Sequence, residues 1–371
     1  MEKNKTNLNV PNLRFPEFRG EWEKYKLDEI ATISKERIGV GMLSSSNYIS
    51  TENMKSNFGG VDLTASLPVS GNVIKFQQGD TLLSNIRPYL KKIWQARFDG
   101  GCSADILVFR SNKLCNQDFL YYTLANEKFI SYAMSGAKGV KMPRGDKEQI
   151  LKYELHLPTA TEQNKITSLL SLLDQRIKTQ KKVIEDLKRL KYAISKRVFS
   201  EMGQHHPVVK LGQLCSIKTG KLDANAMIDN GEFPFFTCAR EDYRTDTYAF
   251  EGDSLLISGN GDIGIVKRYN GKFNAYQRTY VLQDFIQEIA YVQCFVEHHL
   301  PKRVLKEKNV GAMPYIVLST LSEMPIILPP TYIQNAICKT IGAISEQINV
   351  EEKILANFEL QKQYNLSMMF I

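Results

Sequence analysis

The sequence predicts an α+β protein with two similar mixed α/β domains, each followed by a long helix, and with the two helices paired as a coiled coil. Three observations support this fold class: the chain repeats its own motifs, each copy ends in a heptad pattern, and short strand-like runs precede each heptad. The length of 371 residues also exceeds the roughly 150 residues of an average domain. More than one folded unit is therefore expected.

An internal duplication is visible at a constant offset of 171 residues. The matched motifs of the first and second copies are Met142-Pro143 and Met313-Pro314, Leu157-Pro158 and Leu328-Pro329, and Gln163-Asn164 and Gln334-Asn335. Two long copies indicate a duplicated domain, whereas a solenoid needs many short ones. We therefore predict a first domain at 1–157 with a lead-in at 1–20, a helix at 158–203, a second domain at 204–328 and a helix at 329–371.

Each copy ends in residues spaced alternately by four and three positions. The apolar seam residues are Ile166, Leu170, Leu173, Ile177, Ile184, Leu187 and Ile194 in the first copy, and Ile337, Ile341, Ile344, Ile348, Leu355 and Phe358 in the second. Polar residues interrupt both seams at matching places, Gln180 and Lys191 in one and Glu351 and Lys362 in the other. Such heptads predict a coiled coil, and the matched interruptions favour helices that pair in a fixed register. Two independent amphipathic helices on separate cores are the alternative.

Short runs punctuated by Gly, Asn and Asp precede both seams. Residues 81–84, 105–109, 254–258 and 279–282 are predicted strands, and 117–131 and 286–299 are predicted helices. Thr161 and Thr331 follow prolines and are the predicted N-cap residues of the long helices. Each domain is therefore expected to contain a small twisted sheet with short helices.

Composition and charge narrow the functional classes. Lys plus Arg number 48 against 40 Asp plus Glu, and this excess of +8 favours a polyanionic partner. The six cysteines are scattered without a CxxC pair, as in reduced intracellular proteins, and indicate neither a disulfide framework nor a zinc site. A signal peptide and an apolar span of about 18 residues are both missing, so we expect a cytoplasmic protein without a membrane partner.

Motifs that carry catalysis are missing. Residues 259–264 spell GxGxxG, but strand-like residues follow, so a tight exposed loop is expected instead of a dinucleotide site. The sequence contains neither a P-loop nor HExxH, and no Pro-Asp pair opens a nuclease site. For His205-His206 and His298-His299, a solvated loop is favoured over metal ligation. We predict no catalytic residue, no metal site and no cofactor in this chain.

Basic residues cluster with aromatic and amide side chains in both copies. The candidate nucleic-acid contacts are Asn85, Arg87, Tyr89, Lys91, Lys92, Lys138, Lys141 and Arg144 in the first, and Lys218, Lys221, Ser258, Asn260 and Lys267 in the second. Lys and Arg neutralise phosphates, while Arg and Asn can also read base edges. Any one cluster is typical of a solvated loop, but two clusters in two copies favour nucleic acid.

The first long helix is basic, with nine Lys or Arg within 176–197. Three interpretations stay open for this stripe: pairing with the more acidic second helix, contact with DNA running alongside, or simple solvation.

Short motifs along almost the whole chain point to one known family. They are VPNLRFPEF at 10–18, ISTENM at 49–54, SNIRPY at 84–89, GGCS at 100–103, TGK at 219–221, FPF at 233–235, GNG at 259–261 and YNGKF at 269–273. With the openings of the two helices, these motifs resemble the specificity subunit of type I restriction–modification systems. The second copy departs from the pattern, because Ile333 stands where Glu162 precedes Gln in the first copy.

The resemblance implies two DNA-recognition domains separated by a long antiparallel two-helix coiled coil, each reading one half of a bipartite, asymmetric site in double-stranded DNA. It implies as partners two methyltransferase subunits, which methylate adenine with S-adenosylmethionine, and two restriction/translocase subunits, which use ATP and Mg. The chain itself is then a non-catalytic specificity subunit. The alternative is a non-catalytic protein scaffold without its own DNA specificity.

Overall fold

The computed structural model describes residues 9–63, 66–202, 205–241, 243–307 and 314–371. The contacts within the chain divide it into two compact units: unit 1 holds residues 1–180 and 354–371, and unit 2 holds residues 181–353. Both divisions fall inside long helices, so each unit contains one globular region and a part of each long helix. The boundaries predicted at 157, 203 and 328 instead separate each globular region from a whole helix.

Unit 1 builds two four-stranded sheets and a ribbon. Its strands are β1 (Glu23–Lys26), β2 (Ala31–Ile33), β3 (Arg37–Gly39), β4 (Tyr48–Ile49), β5 (Asn72–Phe76), β6 (Thr81–Ser84), β7 (Ile93–Gln95), β8 (Gly100–Cys102), β9 (Ile106–Ser111) and β10 (Glu154–Leu157). Its helices are α1 (Leu27–Ile30), α2 (Gln117–Leu124), α3 (Glu127–Ser135), α4 (Lys147–Leu151) and the start of α5 (Ala160–Met202). The sheets run in the orders β2-β9-β6-β7 and β3-β5-β8-β4, and β1 pairs with β10.

Strand β6 lies between the two cores of unit 1. Successive side chains of a strand point to opposite faces. Leu83 accordingly packs with Phe109 and the helical side of the unit, whereas Leu82 packs with Val108 and Phe76 on the other side. All four residues of β6, Thr81-Leu82-Leu83-Ser84, are buried, and its two leucines belong to the two different cores.

The last residues of the chain complete the core of unit 1. Met369 and Phe370 are 2% and 7% exposed, and the Phe370 ring stacks on Phe119 with centroids 5.0 Å apart. Asn126 Nδ2 donates to the Leu366 carbonyl at 3.0 Å, and Lys128 Nζ donates to that of Phe370 at 3.1 Å. Unit 1 is therefore discontinuous in sequence, whereas unit 2 is one continuous stretch.

Unit 2 is built on a single larger sheet. Its strands are β11 (Val208–Lys210), β12 (Ser216–Thr219), β13 (Phe233–Phe236), β14 (Tyr243–Thr245), β15 (Phe250–Ser258), β16 (Val266–Ala275), β17 (Thr279–Gln283) and β18 (Pro325–Ile327), and its helices are α6 (Ile289–Glu307), α7 (Leu318–Ser322) and part of α8 (Thr331–Met368). The six-stranded sheet has the order β12-β17-β15-β16-β13-β14, and β11 pairs with β18. One face of β15, with Leu255 and Ile257, packs in a core with Phe295 of α6.

The long helices α5 and α8 pair in both units and run antiparallel. In unit 1, Lys362 Nζ lies 2.6 Å from Asp174 Oδ1, and the Arg176 guanidinium lies 5.8 Å from the centre of the Phe358 ring. In unit 2, Lys188 Nζ lies 2.6 Å from Glu352 Oε1. Residue numbers on one helix rise as those on the other fall, which is an antiparallel arrangement. All thirteen predicted apolar seam residues are buried or half-buried. The mixed α/β domains and the paired helices confirm the predicted fold class.

Some local predictions are wrong. The predicted helix 117–131 is two helices, because the Asn126 side chain accepts from Lys128 N and starts α3 afresh. Thr159, not Thr161, caps α5, since its hydroxyl accepts from Glu162 N at 3.4 Å. Thr331 is already the first residue of α8. The helix predicted at 286–299 begins at Ile289 and continues to Glu307 despite Pro301. The pair His298-His299 lies in this helix and not in a solvated loop.

Candidate nucleic-acid interface

The basic segment that follows β6 in unit 1 has a tightly fixed backbone. Arg87 and Lys91 flank a 3₁₀ turn, Pro88–Leu90, and both adopt left-handed conformations with φ of 50° and 55°. Non-glycine residues rarely do so and persist there only when the surroundings over-determine the backbone. Here Arg87 N donates to the Pro143 carbonyl at 2.8 Å, and Asn85 N donates to that of Asp105 at 2.8 Å. The segment therefore presents its side chains from a rigid support.

A second loop, residues 138–144, lies against the same segment. Lys138 and Arg144 pair as an isolated β-bridge, and Ile86 pairs with Arg144 in the same way. The structure thus brings the two predicted basic stretches of the first copy together, although more than forty residues separate them in sequence. The candidates of unit 1 form one cluster, which we name loop cluster 1: residues 85–92 and 138–144.

Acidic side chains and carbonyls of unit 1 hold four of the cations in loop cluster 1. Lys92 Nζ donates to the Thr51 carbonyl at 2.8 Å, and Lys91 pairs with Glu127. Lys138 and Arg144 pair with Asp146 and Asp105, yet their side chains stay 82% and 59% exposed. The hydrogen bond to Asp146 raises the pKa of Lys138. Lys138 and Arg144 are therefore accessible, whereas Lys91 and Lys92 are partly occupied by contacts within unit 1.

Arg87 and Asn85 carry unmet polar atoms. Arg87 Nε and Asn85 Oδ1 are buried atoms without a hydrogen-bond partner in the described part of the chain. A guanidinium and an amide are the groups that bind base edges by paired hydrogen bonds. Tyr89 is 47% exposed beside them, and Lys141 is exposed on the second loop. Arg87 and Asn85, which have base-reading chemistry, are thus half-buried, whereas Tyr89 and Lys141 are exposed.

In unit 2 the sheet register gathers the candidates at one end of the sheet. Thr219 pairs with Tyr280 of β17, and Ser258 pairs with Thr279. The C-terminal ends of β12 and β15 therefore lie at the same end of the sheet, which places Lys218 and Lys221 at the same end as Asn260. Ile257 of β15 pairs with Val266, so Lys267 at the start of β16 lies at this end of the sheet as well. We name these residues loop cluster 2.

The members of loop cluster 2 differ in accessibility. Lys218 and Lys221 are exposed, and Asn260 is half-buried in a β-bridge with Tyr315. Lys267 Nζ donates to the Arg240 carbonyl at 2.9 Å and lies 6.0 Å from the centre of the Phe236 ring. Ser258 is only 4% exposed, so its side chain belongs to the sheet interior and is not presented with the cations. Its contact with nucleic acid stays a prediction that the burial disfavours.

An aromatic and cationic cleft next to Lys267 was missed by the sequence reasoning. It has a volume of about 500 Å³ and is lined by Pro234, Phe236, Tyr243, Arg244, Lys267, Arg268 and Tyr269. Arg268 pairs with Asp253 at 2.6 Å, and its hydrogen bond lowers the pKa of that carboxyl. Aromatic faces with neighbouring cations are surfaces on which bases and phosphates bind. Tyr-Arg and Arg-Tyr pairs at 243–244 and 268–269 were the available signal.

The other chemical candidates have structural explanations. The GxGxxG loop leads into strand β16 and not into a helix, so it lacks the geometry of a dinucleotide site. All six cysteines are free thiols, and burial raises the pKa of Cys102, Cys115 and Cys215 to about 12. Among the described residues, His, Cys, Asp and Glu side chains do not form a group of three that could hold a metal ion. In the same residues, every helix is too short or too polar to cross a membrane.

Comparison with known proteins gives a consistent result. A family model described as the type I restriction modification DNA specificity domain matches residues 19–189 and again residues 206–360. The type I restriction enzyme EcoDI specificity subunit of Escherichia coli is 34% identical over 140 residues, which cover 38% of this chain and 31% of that protein. The MjaVIII specificity subunit of Methanocaldococcus jannaschii is 22% identical over 96% of this chain and 93% of its own length.

The fold also matches a solved structure. The S subunit of a type I restriction–modification system from M. genitalium superposes with a TM-score of 0.66, covering 98% of this chain and 99% of that chain. Its sequence identity is 15%, so this likeness concerns the fold.

Proposed function

Because the chain belongs to the family of type I restriction modification DNA specificity domains, we propose that it is the DNA-reading subunit of a type I restriction–modification system. Each globular region reads one half of a bipartite, asymmetric site, and the paired helices set the distance between the halves. The observation that carries the proposal is that the two family matches coincide with the two copies of the internal repeat, each with its own cationic loop cluster. Membership of the family confirms the resemblance found in the sequence.

Within each cluster, we assign phosphate contacts and base contacts from side-chain chemistry and exposure. Exposed lysines such as Lys141 and Lys218 suit phosphate contacts, which supply affinity without sequence information. Arg87 has an unmet donor and a fixed backbone, which suits a bidentate contact with a guanine. In unit 2 we assign base contacts to Asn260 and phosphate contacts to Lys221.

The paired helices act as spacer and docking surface in this proposal. The predicted seam from 166 to 198 measures roughly 48 Å at about 1.5 Å per residue. At about 3.4 Å per base pair, this length corresponds to on the order of a dozen base pairs. Two methyltransferase subunits and two restriction/translocase subunits complete the complex.

The chain contributes recognition and its partners contribute catalysis. We propose that S-adenosylmethionine, ATP and Mg bind to the partner subunits and that this chain itself holds no cofactor. The complex then works in the cytoplasm, where its DNA lies. In this proposal the chain is not itself an enzyme, because the reacting atoms bind to the partner subunits.

Methylation mapping tests the function directly. The chain is co-expressed with its methyltransferase partner in a host without DNA methylation, and modified adenines are located across the genome. A single split motif, with adenines methylated in both halves, is the expected result. Replacing residues 204–328 by another recognition domain should change one half only. A stable complex that modifies no sequence would contradict the proposal and favour the scaffold alternative.

Arg87→Ala tests the base-reading assignment. We expect it to relax the motif at one position of one half and to cost about 1–3 kcal/mol on the wild-type target. Lys141→Ala is the control for a phosphate contact: it should weaken binding on all sequences and reduce the salt dependence by the equivalent of about one phosphate. If Arg87→Ala weakens all sequences equally, Arg87 contacts the backbone and our assignment is wrong.

A further inference from the structure

The second loop of loop cluster 1 ends in an apolar tip. Val140 is 103% exposed and Met142 is 50% exposed, although both are large hydrophobic side chains. Cations surround them, since Lys138 and Arg144 are 82% and 59% exposed and Lys141 stands between the two. Isolated exposed apolar residues are common on protein surfaces. Two exposed apolar residues on one short tip, with three cations around them, instead form a surface that is both apolar and positively charged.

The base of this tip is fixed by backbone hydrogen bonds. Lys138 N donates to the Arg144 carbonyl and Arg144 N donates back to that of Lys138, both at 2.9 Å. The Pro143 carbonyl accepts from Arg87 N at 2.8 Å, and Gly139 makes the turn with φ of 97°. The backbone at the base of the tip is therefore held in place, which reduces the conformational entropy lost when the tip meets a ligand.

The chemistry of the tip matches a DNA duplex. Its three cations complement the phosphates on either side of a groove, while apolar side chains can enter between base steps and unstack them. The sequence repeats Met-Pro at 313–314, where Met313 lies outside the described residues, whereas the recognition motifs of the two copies differ. Only Met142-Pro143 of the tip is repeated, because Gly311 and Ala312 stand at the positions of Val140 and Lys141. A methionine shared by two domains that read different half-sites does not suit base-specific reading.

We propose that Val140 and Met142 form an apolar wedge that presses into the DNA of the first half-site and unstacks a base step whatever its sequence. The proposal rests on the proposed function, because it presupposes that loop cluster 1 binds DNA. The wedge supplies affinity and deformation, while Arg87 and Asn85 supply sequence selection. Lys138, Lys141 and Arg144 hold the phosphates beside it.

The test uses the full chain in complex with its methyltransferase partner on a duplex with the mapped target. Val140→Ser with Met142→Ser removes the apolar tip and leaves every charge in place; Val69→Ser, at a residue that is 104% exposed elsewhere in unit 1, is the matched control. We expect binding about tenfold weaker for the double variant, as for the loss of one buried apolar side chain, with an unchanged salt dependence. 2-Aminopurine placed along the first half-site should brighten with the wild type and not with the variant.

Several results would overturn the wedge. Affinity and 2-aminopurine fluorescence equal to wild type would show that the tip does not touch DNA. A changed methylation motif would make it a base reader, and loss of the methyltransferase from the complex, with DNA binding intact, would make it a protein contact. The proposed function has its own distinct failure: a wild-type complex without preference for any split target.

Discussion

The two long helices begin with the same contact and are then covered differently. Gln163 Nε2 donates to the Pro158 carbonyl at 3.0 Å, and Gln334 Nε2 donates to the Pro329 carbonyl at 2.9 Å. One position earlier, Glu162 is 1% exposed and accepts from both Arg14 Nε and a terminal nitrogen of Arg14 at 2.8 Å. Its counterpart Ile333 packs against the apolar core of unit 2.

The difference shows which part of the repeat depends on its surroundings. The glutamine bond satisfies a carbonyl at the turn into each helix, so both copies need it. The residue before it faces whatever covers the helix start: Arg14 and Trp22, which both donate to Glu162, in unit 1, and apolar side chains in unit 2. Ile333 therefore stands where the first copy has the acidic partner of a buried ion pair.

Replacing Glu162 by isoleucine, the residue of the second copy, should have the largest effect. Glu162→Ile leaves the Arg14 side chain, only 13% exposed, without its carboxylate, and should destabilise unit 1 by about 3 kcal/mol. Trp22 and Trp94 both lie in unit 1, so urea unfolding followed by tryptophan fluorescence reports on this unit. Arg14→Met in the same chain should restore most of the loss, because an apolar pair can replace a buried ion pair. A change below about 0.5 kcal/mol for the single variant would show that the pair does not hold the lead-in.

Replacing the matching seam lysines, Lys362 and Lys191, should lower the free energy of unfolding by less than Glu162→Ile does. Lys362 pairs with Asp174 of the opposite helix, which also accepts from the Tyr122 hydroxyl at 2.8 Å. Lys191 instead pairs with Glu297 of α6 at 2.8 Å. Lys362→Met should cost about 2 kcal/mol, since it breaks a shared, partly buried charge network, and Lys191→Met about 1 kcal/mol. Thermal unfolding of both, with exposed Lys182→Met as control, measures the difference; the reverse order would contradict it.

A pH-dependent contrast is expected between His299 of unit 2 and His156 of unit 1. Burial, together with the nearby His298 and Lys302, lowers the pKa of His299 to about 4, and burial lowers that of His156 less strongly. The unfolded His299 takes up a proton below about pH 6.5, whereas the folded one stays neutral down to about pH 4. Stability of unit 2 should therefore fall as the pH drops through this window.

His299→Phe tests this contrast and keeps the ring that stacks on Phe295 at 4.2 Å. The variant should lose less Tm than wild type between about pH 7 and about pH 5, because it lacks the titrating group. His156→Phe should change this pH difference less. Equal pH dependence in wild type and His299→Phe would exclude His299 as the source.

The smallest effect is expected for the exposed pair across the helices. Lys188 and Glu352 side chains are 57% and 46% exposed, so a double-mutant cycle to Ala should give a coupling of about 0.5 kcal/mol or less. Higher salt should reduce it further. A coupling above about 1 kcal/mol would indicate a pair shielded from solvent.

Local pattern and long-range contact explain what the sequence could and could not predict. The seam and strand β6 follow from period and burial within one stretch, so residues 81–84 were predicted with their observed bounds. The Arg14–Glu162 pair joins residues 148 positions apart, and no local pattern shows it. The cleft of Phe236, Arg244 and Tyr269 gathers three strands, β13, β14 and β16, whose order the sequence does not reveal. The basic loops could be predicted because each is a short stretch of sequence with a clear composition. That the two stretches of unit 1 form one cluster could not be predicted, because it depends on a long-range contact.

The seating of Phe370 in the core of unit 1 sets an order of assembly on the ribosome. Unit 2 is one continuous stretch, residues 181–353, and can close as soon as that stretch has left the exit tunnel. Unit 1 begins first but lacks Met369 and Phe370 until all of unit 2 has been translated, and a contact between Phe119 and Phe370 must close a loop of some 250 residues. The half of the protein that is translated first is therefore the half that finishes folding last.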